Sequence, residues 1–187
     1  MDIRIITEAI DKLLYKKDRI VIAIDGGCGT GKSTIADQIN AIYGGNVYHT
    51  DDYFLRPEQR SEKRLSEIGG NIDYERFLFE IIDGIKSALP FSYTPFSCKT
   101  MSLGNPVSVI PRRVEIIEGS YSHRPDFAYL YDLRIFLTAD LDIRKARIIK
   151  RAPERAERFF SEWMPKEDAY FEKFGIRELS DIIFETN

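Results

Sequence analysis

Short apolar runs punctuate the chain, and the stretches between them carry a helical period. Val21, Ile22, Ala23 and Ile24 form the first run, and a shorter one falls at Val47 to His49. "RVEIIEG" (Arg113 to Gly119), "LRIFLTA" (Leu133 to Ala139) and "DIIFE" (Asp181 to Glu185) follow. Unbroken runs of this length read as strands buried on both faces. Between them, Ile35, Ala36 and Ile39 recur at helical spacing, as do Phe77, Ile81 and Ile85 within Asp73 to Ser87. Asp142 to Lys150 and Glu154 to Lys173 predict two more helices separated by Pro153, and Ile6, Ile10, Leu13 and Leu14 share one face of a docking helix at the start. Strands alternating with helices predict an α/β fold, a central parallel β-sheet flanked by helices. Pro90 and Pro95 bracket an extended segment, "SLGNPVSVIP" suggests a hairpin or turn, and polar Arg56 to Asn71 suggests a mobile excursion.

The first run leads straight into glycines, "RIVIAIDGGCGTGKSTIADQI" from Arg19 to Ile39. Gly26, Gly31, Lys32 and Ser33 match G-x-x-x-x-G-K-[ST] between a predicted strand and a predicted helix, the context that gives this motif its meaning. Glycines let successive backbone N–H groups turn toward anionic oxygens, and the helix start adds unsatisfied N–H groups and a positive dipole end. Gly26, Gly27, Cys28, Gly29, Thr30, Gly31, Lys32, Ser33 and Thr34 are therefore the expected cradle of a polyphosphate. Lys32 would reach the β- and γ-phosphates and the Ser33 hydroxyl would ligate Mg²⁺, with Cys28 a passenger. The competing reading, a glycine-rich turn that binds nothing, is disfavoured by the strand-to-helix setting.

Composition narrows the classes. The chain has 187 residues, 43% hydrophobic and 30% charged, enough for one sizeable core. A net charge of −3 argues against a general nucleic-acid or anionic-membrane binder. The two cysteines, Cys28 and Cys98, lack metal-ligand spacing, so neither a disulfide framework nor a zinc site is expected, and a reducing cytoplasm is the natural home. The N-terminal stretch lacks the apolar core of a signal peptide. No apolar run approaches the roughly 18 residues of a membrane span.

Ligands of open parallel sheets sit outside the carboxyl ends of the strands. Three such ends stand out: the Gly26 loop, Asp51-Asp52, and Glu118. Ser33, Asp51 and Glu118 are hard oxygen ligands suited to Mg²⁺, directly or through water. Paired aspartates alone equally suit a solvated turn. The basic run Arg144, Arg147, Lys150, Arg151, Arg155 and Arg158 reads either as a solvated helix face or as a lid that folds onto phosphates. Trp163, Tyr170, Phe171 and Phe174 read as packing.

With "IAIDGGCGTGKST", "HTDDYF", "NIDYERF", "VEIIEG", "DLDIRKARIIKR" and "LSDIIFE" in order, the chain resembles the uridine kinase family of P-loop nucleoside kinases. "EGSYS" and "FFSEWMP" are similar to a bacterial uridine kinase-like subgroup. The resemblance implies one P-loop NTPase domain over residues 1–187, with a helical lid at about 147–165, using ATP and Mg²⁺. It implies Asp51 as the base at a nucleoside 5′-hydroxyl, Asp73 on the ribose hydroxyls, and Glu118 on Mg²⁺ with Ser33 and Asp51. Arg147, Arg155 and Arg158 would hold phosphates, Arg151 and Lys32 would act in catalysis, and Tyr53, Phe96 and Met101 would line the acceptor. The base-reading segment departs from the family: "FSCKTM" lacks its tyrosine and histidine, and Ile148 replaces a lid arginine. Nicotinamide riboside, pantothenate and phosphosugars are alternative acceptors, and a non-catalytic nucleotide-binding protein is a further alternative. A GTPase switch is disfavoured because D-x-x-G and N/T-K-x-D are both missing. Self-association is left open.

Overall fold

The computed structural model describes residues 2–187. Helix α1 (Arg4–Leu14) leads into β1 (Ile20–Gly26), the glycine loop, α2 (Lys32–Tyr43) and β2 (Asn46–His49). The region 56–71 is not a bare excursion: it holds a 3₁₀ turn (Pro57–Gln59) and α3 (Glu62–Ser66), and Arg64 ties it to Glu75 at 2.8 Å. The helix predicted from Asp73 is one continuous rod, α4 (Tyr74–Phe77) and α5 (Asp83–Ser87) joined by a π-turn (Leu78–Ile82). Four short strands form two nested antiparallel pairs. They are β3 (Phe91–Tyr93), β4 (Phe96–Ser97), β5 (Ser102–Leu103) and β6 (Val107–Val109), with β3 on β6 and β4 on β5. Then come β7 (Val114–Glu118), β8 (Leu133–Thr138), α6 (Leu141–Arg151), α7 (Ala156–Arg158), a second π-turn (Phe159–Trp163), α8 (Met164–Phe174) and β9 (Ile182–Glu185).

Five strands build one sheet in the order β2-β7-β1-β8-β9, every pairing parallel. Alternation along β1 assigns its faces. Ile20, Ile22 and Ile24 join Ile6, Ile10, Ile35 and Ile39 in the core beneath α1 and α2. Val21 belongs to the opposite core with Tyr48, Phe77, Ile81, Ile117, Phe136 and Tyr170. A third, smaller cluster joins Cys28 of the glycine loop to Ile148, Ala152, Ala156, Phe159 and Met164. The segment 147–165 is thus packed onto the loop by apolar contacts.

Two glycines mark where backbones meet at the carboxyl edge. A Cβ on Gly26 would lie 2.3 Å from the Leu137 carbonyl oxygen of β8, at φ +143°. One on Gly119, at φ +133°, would lie 2.0 Å from Thr50 Oγ1. Neither position admits a side chain.

β1 also carries a fully buried carboxylate, Asp25. Its oxygens accept the N–H of Gly26 (2.7 Å), the N–H of His123 (2.9 Å) and the hydroxyl of Tyr170 (3.0 Å). One side chain thereby joins the glycine loop, the loop after β7 and α8. Asp25→Ala would strand buried donors, each worth about 1–3 kcal/mol. Urea denaturation is expected to show a loss on the order of 3 kcal/mol, with Tyr170→Phe losing about 1 kcal/mol. An Asp25→Ala protein as stable as the wild type would refute this account.

Candidate active site

The glycine loop follows β1 and ends at Gly31, whose φ of +89° starts α2. Lys32 folds back over it: its ammonium donates to the carbonyls of Gly26 (2.7 Å) and Gly27 (3.1 Å) and to Ser120 Oγ (3.3 Å). In the next position, Ser33 Oγ donates to Glu118 Oε1 at 3.0 Å. Glu118 ends β7, in register with Ile24 of β1 and His49 of β2, so the sheet itself brings the two motifs together.

Glu118 Oε1 also meets His49 Nδ1 at 2.6 Å. Burial opposes ionisation of Glu118, but the His49 hydrogen bond and the Lys32 charge prevail and its pKa lies below the ordinary value. The same hydrogen bond outweighs burial at His49 and raises its pKa. After β2 the chain makes a 3₁₀ turn, Thr50–Tyr53, pinned by Thr50 Oγ1 to the Ser120 carbonyl at 3.0 Å. Asp51 and Asp52 project from this turn. Asp51 is open to solvent along one side and enclosed by protein on the others. That enclosure raises its pKa, Lys32 opposes the rise, Glu118 and Glu167 add to it, and Arg151 opposes it. Asp52 is raised too, by enclosure first, with His49 opposing.

Ser33 and Glu118 present hard oxygens next to the glycine loop, a donor set that fits Mg²⁺. Among the described residues no three His, Cys, Asp or Glu side chains converge as a metal cluster.

The basic run divides. Arg147 and Arg151 line a cavity of about 340 Å³ with Gly29, Gly31 and Thr34. Arg147 donates to the Gly29 carbonyl (3.3 Å) and to Thr186 Oγ1 (3.0 Å). Arg155 and Arg158 instead pair with Glu154 (3.2 Å) and Glu162 (2.8 Å) on the surface, as a solvated helix face does. The structure does not bring these two arginines to the glycine loop.

The acceptor-side expectations need correction. Tyr53 is fully buried, its hydroxyl donating to Glu80 at 2.9 Å and its ring beneath Arg76, so it packs as core. Phe96, on β4 where it pairs with β5, is also buried at 3% exposed, whereas Met101 at the turn is exposed. Asp73 caps α4 by accepting the Arg76 N–H (3.2 Å) and takes a second bond from Gln59 Nε2 (2.8 Å). It is 2% exposed, with Gln59 and Arg56 of the 3₁₀ turn both reaching one of its oxygens.

No family model matches the chain. It is 25% identical over 141 residues to a uridine kinase of Deinococcus deserti, covering 70% of this chain and 67% of that protein. It is 26% identical over 162 residues to a cytidylate kinase of Chlamydia caviae, covering 73% and 74%. A solved structure provisionally described as a uridine kinase from Bacillus stearothermophilus superposes with a TM-score of 0.66 at 20% identity, over 96% of this chain and 98% of that one. Another, provisionally described as a fructose transport system kinase from Silicibacter sp., gives 0.74 at 19% identity, over 98% and 99%. The chain is similar to curated kinases of the uridine and cytidylate type, and it shares its α/β fold with the solved structures.

Several residues at the P-loop escape a reading of the sequence. Glu167, buried on α8, accepts the N–H of Cys28 (2.8 Å) and the hydroxyl of Ser120 (2.6 Å). Arg144 of α6 donates to the Cys28 carbonyl (2.9 Å). Cys28, expected to be a passenger, is therefore held on both sides and buried. Glu167 lies 139 residues from Cys28, beyond any local motif. Ser120 follows the "EG" of β7 directly, the one signal that could have marked it.

The His49–Glu118 pair is readily tested by NMR titration of the two imidazoles. His49 is expected to titrate above 6.5, and His123, buried, below it. Glu118→Gln should lower the His49 value. Because the folded pKa of His49 is raised and that of Glu118 lowered, the stability this pair contributes is fully present between pH 4.5 and 6.5, is lost as pH rises through the raised His49 value, and is lost again as pH falls through the lowered Glu118 value. A His49 pKa unmoved by Glu118→Gln would contradict the pairing.

Proposed function

We propose that this chain is an ATP- and Mg²⁺-dependent kinase that phosphorylates the 5′-hydroxyl of a ribonucleoside. The observation that carries this reading is the meeting, at one carboxyl edge, of the P-loop lysine, the Ser33–Glu118 pair and the Asp51 turn. Ser33 and Glu118 would hold Mg²⁺, which would neutralise charge on the β- and γ-phosphate oxygens. Lys32 exchanges the Gly26 and Gly27 carbonyls for phosphate oxygens. Asp51 accepts the proton of the acceptor hydroxyl, and its raised pKa makes it a stronger base than an ordinary aspartate. Arg147 and Arg151, lining the cavity over Gly29 and Thr34, serve the nucleotide, with Arg151 also stabilising charge that develops in transfer. The segment 147–165 acts as the lid that excludes water.

A different acceptor is the second reading, and the closure of Asp73 favours it: a riboside needs that carboxylate, and here Gln59 holds it. The named acceptors among similar proteins diverge too, from uridine to cytidylate to a sugar-transport role.

The deciding experiment follows ADP release with uridine, cytidine, adenosine, nicotinamide riboside, pantothenate, 2′-deoxyuridine and a phosphosugar. A ribonucleoside is expected to be preferred over its 2′-deoxy analogue. Preference for the phosphosugar or pantothenate would move the function to the second reading, and no turnover with any acceptor would refute both.

Lys32→Ala is expected to lower turnover by at least ~10²-fold, the scale of losing one preorganised donor. Asp51→Asn should abolish turnover while sparing ATP affinity, and Asp52→Asn should be milder. If Asp52→Asn proved the more damaging, the base would be Asp52.

A further inference from the structure

Cys28 is the only loop residue gripped through both of its backbone polar groups by an ion pair among the contacts described. Its N–H donates to Glu167 Oε2 at 2.8 Å, and its carbonyl accepts Arg144 Nε at 2.9 Å. Those two side chains face each other at 3.6 Å, 6% and 14% exposed. Arg144 comes from α6, which enters the segment 147–165, and Glu167 from α8, which leaves it. Arg144 also fills the space a side chain at residue 27 would need: a Cβ on Gly27 would lie 2.2 Å from its guanidinium. From the other carboxylate oxygen a chain of hydrogen bonds runs to the catalytic lysine. Ser120 Oγ donates to Glu167 Oε1 at 2.6 Å and accepts from Lys32 Nζ at 3.3 Å.

On the kinase reading above, we infer that Glu167 is a positioning residue for phosphoryl transfer: through Ser120 it aims Lys32, and with Arg144 it sets the P-loop peptide at Cys28. A carboxylate serves where an amide would not. Its two oxygens accept from two donors at once while its charge answers the buried guanidinium, whereas glutamine has one accepting oxygen and leaves Arg144 without a counter-charge. The N–H groups from Gly29 to Thr34 do not touch Glu167, so grip on the α- and β-phosphates is independent of it. What Glu167 governs is the aim of the lysine at the group being transferred, where small misplacements are costly.

Glu167→Gln and Ser120→Ala, singly and together, separate aim from fold. Ser120→Ala keeps the Arg144–Glu167 pair, so its melting temperature should stay near that of the wild type. Both single variants are expected to keep their affinity for Mg-ADP and to lose roughly 10- to 100-fold in kcat. They should lose comparably in the extra affinity gained when aluminium fluoride joins Mg-ADP as a mimic of the transferring group. The double variant should lose no more than the worse single one, because both act through one chain of bonds. Hydrogen exchange at residues 26–30 should quicken in Glu167→Gln alone. Parallel losses in Mg-ADP affinity and kcat, or additive losses in the double variant, would reduce Glu167 to a structural strut. Unchanged kcat and fluoride response in both would remove it from the reaction. The fluoride measurement needs no acceptor, so it still reads Glu167 if the wild type phosphorylates none of the panel.

Discussion

A phosphate-binding loop is a row of peptide N–H groups held pointing one way, and such groups are costly to bury unless something accepts from them. In this chain one of those N–H groups is met by a carboxylate brought from far along the sequence, and the loop carbonyls are held by cations. Glu167 takes the Cys28 N–H, Arg144 takes its carbonyl, and Lys32 is shared among two loop carbonyls and Ser120. The fold around the loop serves that arrangement. β1 delivers the loop with Asp25 anchoring its first amide, β7 delivers Glu118 and Ser120, and α6 and α8 deliver the clasping pair.

The carboxyl edge sets Glu118, Glu167, Lys32 and Arg151 within electrostatic reach of Asp51, and His49 and Glu118 within reach of Asp52. Carboxylates gathered in this way favour incoming positive charge. Enclosure by protein is the first cause of the raised pKa of Asp51 and of Asp52, Glu118 adds to both, and His49 and Lys32 hold Glu118 below its ordinary value against its own burial. An edge of this kind suits the joint arrival of nucleotide and divalent cation better than a bare polyanion.

Features set by neighbours in the chain were legible, and those set by the third dimension were not. The strands of the sheet and the P-loop follow from apolar runs and glycine spacing, both local. Ser33 and Glu118 were readable as partners because each closes a strand or opens a helix at the same edge. Tyr53 and Phe96 misled because a motif position does not say which way a side chain turns: two residues beyond Asp51, the chain dives into the core. Arg155 and Arg158 misled because helical spacing allows both a surface pair and a phosphate contact. Neither π-turn has a signature in the hydrophobic period, and Glu167 reads as one more charge on a polar helix.

The thiol of Cys28 lies beneath Ile148, Ala152, Phe159 and Met164. Burial first, and then the Glu167 carboxylate, push its pKa up to about 12. Thiolates, not thiols, react with peroxide and electrophiles. The centre of the P-loop is therefore shielded from oxidation for as long as the helices over it stay down, whereas Cys98 lies open on the surface. If the segment lifts as the proposed lid, the rate at which an alkylating reagent reaches Cys28 becomes its clock, built into the protein without any introduced label.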